Sequence, residues 1–552
     1  MRRQSLTARP ATAAAGGRRS GAACGLRLGA GILALERPSP FAVRMARSTS
    51  FIPVALPFLV VAAASPGERF RKQPRLKRHQ FRSQRMQFAA AALLLLLPSS
   101  GSAAEFDGAR LGIAWAVPFV GILLSIALCP LLVPSFWHHH FGKVSAGWAL
   151  AFLIPFVLQY GLDEAVQQAA HTLLLEYVPF IIVLFGLYTV AGGICVRGNL
   201  HGTPGVNTAL LAIGTLLASW MGTTGAAMLM IRPVIRANDN RKHRVHVIVF
   251  FIFLVANAGG ALTPLGDPPL FLGFLKGVDF FWPTTNLLMP TLVLCGLLLA
   301  EFYALDYYYY HHLGEERPPI LDPTHDRPIH IEGGVNLLLL GAILGAVLLS
   351  GFWRPGMKWT LLGSEIELQN VVRDTLIVAT ALVSLKITRE ATRQSNHFTW
   401  GPIIEVAKLF AGIFLTIIPV IAMLRAGTAG VLGPVVRVVT DANGQPIDAM
   451  YFWLSGGLSS FLDNAPTYLV FFNMAGGDAP TLMSTFARTL LAISAGSVYM
   501  GAMTYIGNAP NFMVKAIAEH RRIKMPSFLG YLAWSSVVLL PAFVLLTLLF
   551  FR

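Results

Sequence analysis

Two aspartates stand where an apolar chain would ordinarily hold none. Asp267 ends the run Asn257-Ala258-Gly259-Gly260-Ala261-Leu262-Thr263-Pro264-Leu265-Gly266-Asp267 and is followed by Pro268-Pro269, while Asp463 opens Asp463-Asn464-Ala465-Pro466. An isolated charge at the centre of a bilayer costs about 2.5 to 3.5 kcal/mol on insertion scales, so a chain that keeps two has a use for them. Desolvation favours the protonated carboxyl and a bound cation favours the ionised one. Such a group holds a proton or a metal ion in turn, which is the chemistry of exchange. Oxygen-bearing side chains suited to sodium accompany them, and the expected ion and proton site is Asp267, Asp463, Asn464, Thr223, Thr224, Asn257, Thr263, Thr504 and Asn508. Sodium would be held transiently by Asp463 and Asp267 as cargo, and no resident cofactor or catalytic residue is expected. A plainer role is open to each: Asp267 or Asp463 as a buried helix cap, and the threonines and asparagines as partners for backbone freed in kinked helices.

The elements that must position these residues follow from composition. Of 552 residues, 55% are hydrophobic and 13% charged, with a mean hydropathy of +0.60, against roughly 25% charged in a soluble domain. An ordinary soluble enzyme is excluded. Apolar runs of about 18 residues or more are long enough to cross a bilayer as helices. They place spans near 111–134, 144–161, 172–195, 245–275 and 286–305, then 334–351, 371–385, 402–423, 485–514 and 528–550. Two further stretches, 205–231 and 450–475, are broken at Gly222-Thr223-Thr224-Gly225 and Asp463-Asn464-Ala465-Pro466. Broken backbone at membrane depth survives only inside protein or beside a wet cavity, so both read as re-entrant hairpins.

The breaks repeat. An offset of 241 carries Gly260 to Gly501, Ala261 to Ala502, Thr263 to Thr504, Gly266 to Gly507, Pro269 to Pro510 and Phe271 to Phe512. The same offset carries Ser219 to Ser460, Trp220 to Phe461 and Thr223 to Asn464. One register over two motifs marks an internal duplication. Each half holds five spans, an odd number, so the halves face opposite ways. The loops agree: those expected inside hold 16 Lys and Arg and those outside 7, as the positive-inside rule requires. The fold expected is an all-α polytopic membrane protein, ten transmembrane spans plus two re-entrant hairpins in two inverted five-span repeats with broken helices. Residues 105–305 form the first repeat, 306–333 a cytoplasmic linker and 334–552 the second repeat. Inverted repeats with discontinuous helices meeting at mid-depth are a transporter plan.

The net charge of +16 invites a nucleic-acid reading, but residues 1–85 hold 17 of the 43 Lys and Arg and only two acids, Glu36 and Glu68. The remaining 467 residues carry a net charge of +1, and no nucleic-acid partner is expected. Residues 1–85 read as a basic, disordered extension, either upstream of a start at Met86 or an organelle transit peptide. Residues 86–104 read as a signal peptide or an uncleaved N-terminal helix. Cys24, Cys129, Cys195 and Cys295 show neither metal spacing nor a disulfide framework. Glu405 and Lys408 read as an ion pair or a relay, and His138-His139-His140 and His311-His312 as solvated histidines beside an interfacial aromatic belt.

The stretches SWMGTTGAAMLMIRPVIRAN, ANAGGALTPLGDPPLFLGFLKG, SSFLDNAPTYLVFFN and TYIGNAPNFMVKAIAEH resemble the citrate-transporter-like branch of the ion transporter superfamily, and within it bacterial NhaD-like sodium:proton antiporters. The resemblance covers about residues 108–550. It implies a scaffold and a transport unit in each half, hairpin tips meeting at a central ion site, elevator-like alternating access and a homodimer. Dicarboxylate members carry Ser-Asn-Thr tips; this chain has Gly222-Thr223-Thr224 and Asp463-Asn464-Ala465, which favours a cation or proton couple. The expectation is a sodium/proton exchanger of the bacterial inner membrane, or of an organelle membrane, with the lipid bilayer and an inorganic cation as its partners. The alternatives are an anion carrier for dicarboxylate, citrate or a related oxyanion and, more remotely, an intramembrane aspartyl protease. On this reading Asp463→Asn abolishes exchange.

Overall fold

The computed structural model describes residues 107–198, 200–313, 330–396 and 398–552. The expected basic extension, the signal segment and most of the cytoplasmic linker lie outside the described residues. Lipid offers the backbone no hydrogen bonds, so long apolar runs satisfy their own N–H and C=O groups as helices. Eight helices are long and apolar enough to cross a membrane, nine if the pair Gly401–Thr416 and Ile418–Arg425, bent by 43° just before Pro419, is one span. The polytopic helical expectation holds, while the inventory differs from ten. Leu368–Ile387, interrupted in polarity by Arg373 and Asp374, and the broken segment 487–520 fall short of that apolar length, whereas Pro204–Met221, read as a hairpin arm, reaches it. Two short antiparallel ribbons depart from the all-α expectation. One pairs Cys195–Arg197 with His330–Glu332; the other folds Lys358–Leu361 onto Ser364–Glu367 through Leu362 and Gly363, both at positive φ.

The first interrupted stretch is a helical hairpin, α1 (Pro204–Met221) and α2 (Thr223–Ala237), and the broken span that follows is α3 (Val245–Leu254), a short turn Ala258–Leu262, and α4 (Pro268–Leu275). Trp282–Tyr307 is α5. In the second half the hairpin is α6 (Asp448–Phe461) and α7 (Asn464–Met474), followed by α8 (Ala487–Tyr499), a turn Met500–Met503, and α9 (Ala509–His520). Burial separates two classes of helix. The apolar window of Val245–Leu262 is 89% buried, against 22% for Pro134–Tyr160 and 28% each for Val335–Phe352 and Phe528–Phe550. The broken span is therefore wrapped in protein, and these three intact helices turn their apolar surface outward.

Each break has a local cause. Gly222 at φ +81 separates α1 from α2, a conformation that side chains disfavour. At Gly266 a Cβ would lie 2.1 Å from the Gly260 carbonyl oxygen, and at Gly507 2.6 Å from that of Gly501. The glycines let the chain fold back on itself before α4 and before α9.

Candidate functional site

The breaks are stapled by the same side chains in both halves. Thr263 donates its hydroxyl to the Ser219 carbonyl, and Thr504 donates to that of Ser460 at 2.5 Å. Ser219 Oγ donates to the Gly259 carbonyl at 2.5 Å, and Ser460 Oγ to that of Met500 at 3.0 Å. Thr263 Oγ1 accepts from Leu265 N and Thr504 Oγ1 from Ile506 N, both at 3.2 Å. Every pair is separated by the offset of 241. These two threonines, expected at the ion, serve the backbone of the breaks.

Asp267 precedes α4 in an extended conformation, yet its side chain does not cap that helix. Its carboxylate turns instead to three donors from three other elements. Thr223 Oγ1, at the first hairpin tip, donates to Oδ1 at 3.0 Å; Asn508 Nδ2, before α9, donates to Oδ1 at 3.3 Å; Asn464 Nδ2, at the second hairpin tip, donates to Oδ2. Asp267 is 2% exposed, Thr223 and Asn508 likewise 2%, and Asn464 fully buried. Among the described residues no Lys, Arg or His pairs with this carboxylate. The amide oxygen of Asn464 is buried and has no hydrogen-bond partner.

The network continues behind Asp267. Asn508 Nδ2 also reaches Asn257 Oδ1 and the Ala256 carbonyl, both at 3.2 Å. Asn257 Nδ2 donates to Asn511 Oδ1 at 2.7 Å and to the Ile252 carbonyl at 2.8 Å; Asn511 Nδ2 in turn holds the Gly501 and Thr504 carbonyls at 2.8 and 2.9 Å. Asp463 takes the capping role: its Oδ1 accepts from Ala465 N at 3.1 Å at the start of α7, next to the residue that donates to Asp267. Thr224 is half-buried beside Thr223, outside this network. Of the nine expected residues, the structure gathers Asp267, Thr223, Asn464, Asn508 and Asn257, sets Asp463 and Thr224 beside them, and gives Thr263 and Thr504 to the backbone.

Sequence reasoning used Ser219 and Ser460 only as register marks and passed over Asn511, though all lie within the repeated motifs. It also missed two buried charge clusters. Asp306, near the end of α5, accepts from Arg241 at 2.6 and 3.0 Å, His246 at 2.7 Å and Asn207 at 2.9 Å, while Asn207 and Asn238 exchange amide hydrogen bonds. This knot closes the base of the first hairpin. Lys276, just after α4, pairs with Glu176 of Leu162–Ala191 at 2.5 Å. The ion pair expected between Glu405 and Lys408 does not form among the described residues; Lys408 lies over the Phe141 ring.

The citrate-transport family CitMHS_2 matches residues 108–551, and thus most of the chain. The chain belongs to this family. Membership sets the CitMHS_2 protein among transporters rather than enzymes, and the aspartyl-protease reading falls: Asp267 and Asp463 share no hydrogen bond, the second being spent on Ala465 N. A relative, the Na(+)/H(+) antiporter NhaD of Halomonas elongata, is 26% identical over 241 residues, covering 40% of this chain and 48% of the relative. The chain thus spans about half the length of the curated relative it matches.

Proposed function

We propose that this CitMHS_2 protein is a secondary active transporter that exchanges sodium ions for protons by alternating access, with Asp267 as the shared site. The observation that carries the proposal is the set of partners around one carboxylate. Three donors face Asp267, all serving its ionised form, and among the described residues no cationic side chain neutralises it. A buried lone charge is unfavourable, so a proton or a cation must accompany it, and the two compete for the same oxygens. The unpartnered Asn464 oxygen and the Thr223 hydroxyl oxygen are further neutral ligands of the kind sodium prefers. Sodium is cargo here, and Asp463 lies within one residue of the site as a second acid.

The rival reading, an anion carrier, has one observation in its favour besides the family's description. Four helices, α2, α4, α7 and α9, begin at residues that meet at Asp267, and helix N-termini favour anions. Asp267 already occupies that anion-favouring point, which leaves a cation or proton as the exchangeable species. The recurrence of the staples at a single offset supports two five-span repeats, and the charges of the loops support their opposite orientation, ten spans in all with two re-entrant hairpins; placement in a bacterial inner membrane is part of the same reading.

Reconstitution into liposomes with an internal pH-sensitive dye tests the proposal. A sodium step is expected to move protons, and Asp267→Asn to abolish the response in a protein that still unfolds at the wild-type temperature. Uptake of citrate or succinate without sodium-driven proton movement would replace this reading with the anion carrier.

A further inference from the structure

At the end of α4 away from Asp267 lies a cavity of about 670 Å³. Its walls come from the end of Val335–Phe352, the start of Leu368–Ile387, the turn after α4, residues 174–179 and the ribbon of Lys358–Leu361 with Ser364–Glu367. Because Val335–Phe352 ends and α5 begins at this cavity, it sits at the level of a membrane surface. The exposed side chains around it agree. Phe281 and Phe352 line it and are 44% and 73% exposed, and Trp353, Met357 and Trp359 are exposed along the same strand of chain, interleaved with Arg354 and Lys358. Aromatic and basic residues mixed in this way mark a bilayer interface.

The lining has two characters. Leu174, Leu175, Pro179 and Phe274 form an apolar wall. The rest of the lining carries charges of both signs: Arg354, Lys358 and Arg373, with Asp279, Glu365, Glu367 and Asp374. Lys358 is engaged with Glu365 at 2.7 Å and Arg373 with Asp374 at 2.8 Å. Beyond these pairs, Arg354 reaches only the Gly351 carbonyl, through Nε at 3.2 Å, and Asp279 makes no side-chain hydrogen bond among the described residues. Two buried atoms on the wall have no partner, a donor, Arg373 Nη2, and an acceptor, Gln369 Oε1. A simple anion entering here meets more acids than bases, and a simple cation leaves Arg354 and the Nη2 of Arg373 unserved.

We infer that this cavity binds the headgroup of a zwitterionic glycerophospholipid bearing a primary ammonium. The phosphate faces Arg354 and Arg373, the ammonium donates to Asp279 and Glu367, and the glycerol and first acyl carbons lie against Leu175, Pro179 and Phe274. Glu367 accepts from Gln369 Nε2 at 2.6 Å through Oε2, which leaves its Oε1 and the Asp279 carboxylate to take N–H donors that a quaternary ammonium does not carry. The lipid joins the turn after α4 to the two helices bounding the cavity, independently of which ion Asp267 carries.

The test is native mass spectrometry of the full chain, purified in detergent and offered equal amounts of phosphatidylethanolamine, phosphatidylcholine and phosphatidylglycerol with identical acyl chains. The expected result is a retained phosphatidylethanolamine adduct, lost in the double variant Arg354→Gln with Asp279→Asn and kept in the exposed control Arg437→Gln. Both substituted side chains are at the surface, and an unchanged unfolding temperature in lipid-free detergent verifies the fold. Preference for phosphatidylglycerol, equal retention of all three lipids, no adduct, or an adduct that survives the double substitution overturns the inference. So does displacement of the adduct by soluble glycerophosphoethanolamine, which would assign the cavity to a water-borne ligand.

Discussion

The two helical hairpins share a backbone plan and differ in what they present. At the tips, the first hairpin turns through Gly222 at φ +81 and offers the Thr223 hydroxyl, whereas the second turns through Asp463 at φ −58, which caps its own helix, and offers the Asn464 amide. At the bases the contrast is larger. The first is tied by Asp306, fully buried among Arg241, His246 and Asn207. The corresponding position to Asn207, 241 residues on, is Asp448, which accepts from Thr489 at 2.7 Å and lies 3.6 Å from Arg488, with its side chain 18% exposed. The staples that close the breaks recur pair by pair, because any chain broken at this depth must satisfy the same backbone groups. The groups facing Asp267 do not recur, because they face one shared carboxylate from opposite sides and must be complementary to it rather than to each other. The lesson is that the shared staples hold the backbone of both breaks while the differing tips decide which groups meet Asp267.

That contrast can be broken by substitution, and the largest effect is expected at the shared carboxylate. Asp267→Asn should reduce sodium-driven proton movement to the level of empty liposomes, since the variant cannot ionise; persistence of exchange would move the role to Asp463. Next comes the first base. Asp306→Ala removes the carboxylate that Arg241 and His246 share in a buried site, where breaking such a pairing costs about 3 to 5 kcal/mol, read as a fall in unfolding temperature or a shift in a denaturant midpoint. A loss no larger than that of Asp448→Ala would show that the two bases are equivalent after all. Gly222→Ala forces a side chain into a region favourable only to glycine, worth about 1 to 3 kcal/mol, and should shift the first tip enough to weaken exchange. The partly exposed Asp448→Ala is expected to cost about 1 kcal/mol or less, in keeping with exposed ion pairs. Smallest on stability is Asp463→Asn, because asparagine caps a helix about as well as aspartate. Its effect on exchange then isolates the charge of the second acid from its capping role, and wild-type exchange in this variant would leave Asp267 as the sole acid of the cycle.

Much of this protein was legible in its residues. The apolar runs, the glycine- and proline-marked breaks and the constant offset of 241 follow from rules that act along the chain: lipid admits helices, and glycine permits the tight returns at Gly222 and Gly266. Asp267, Thr223, Asn464 and Asn508 were likewise visible as polar residues in the wrong solvent. What the chain could not announce was pairing across it. Asp267 and Asp463 look alike in sequence, both preceding prolines at a break, yet one is met by three donors from three elements and the other turns to an amide two residues ahead. Thr263 and Thr504 look like ligands and are staples. The Asp306 knot and the Glu176–Lys276 pair join residues from 60 to 100 positions apart and carry no local mark. Sequence determines where backbone must break, since sterics and solvation act on neighbours; only the tertiary structure decides which broken ends face one another, since that depends on packing of segments distant along the chain.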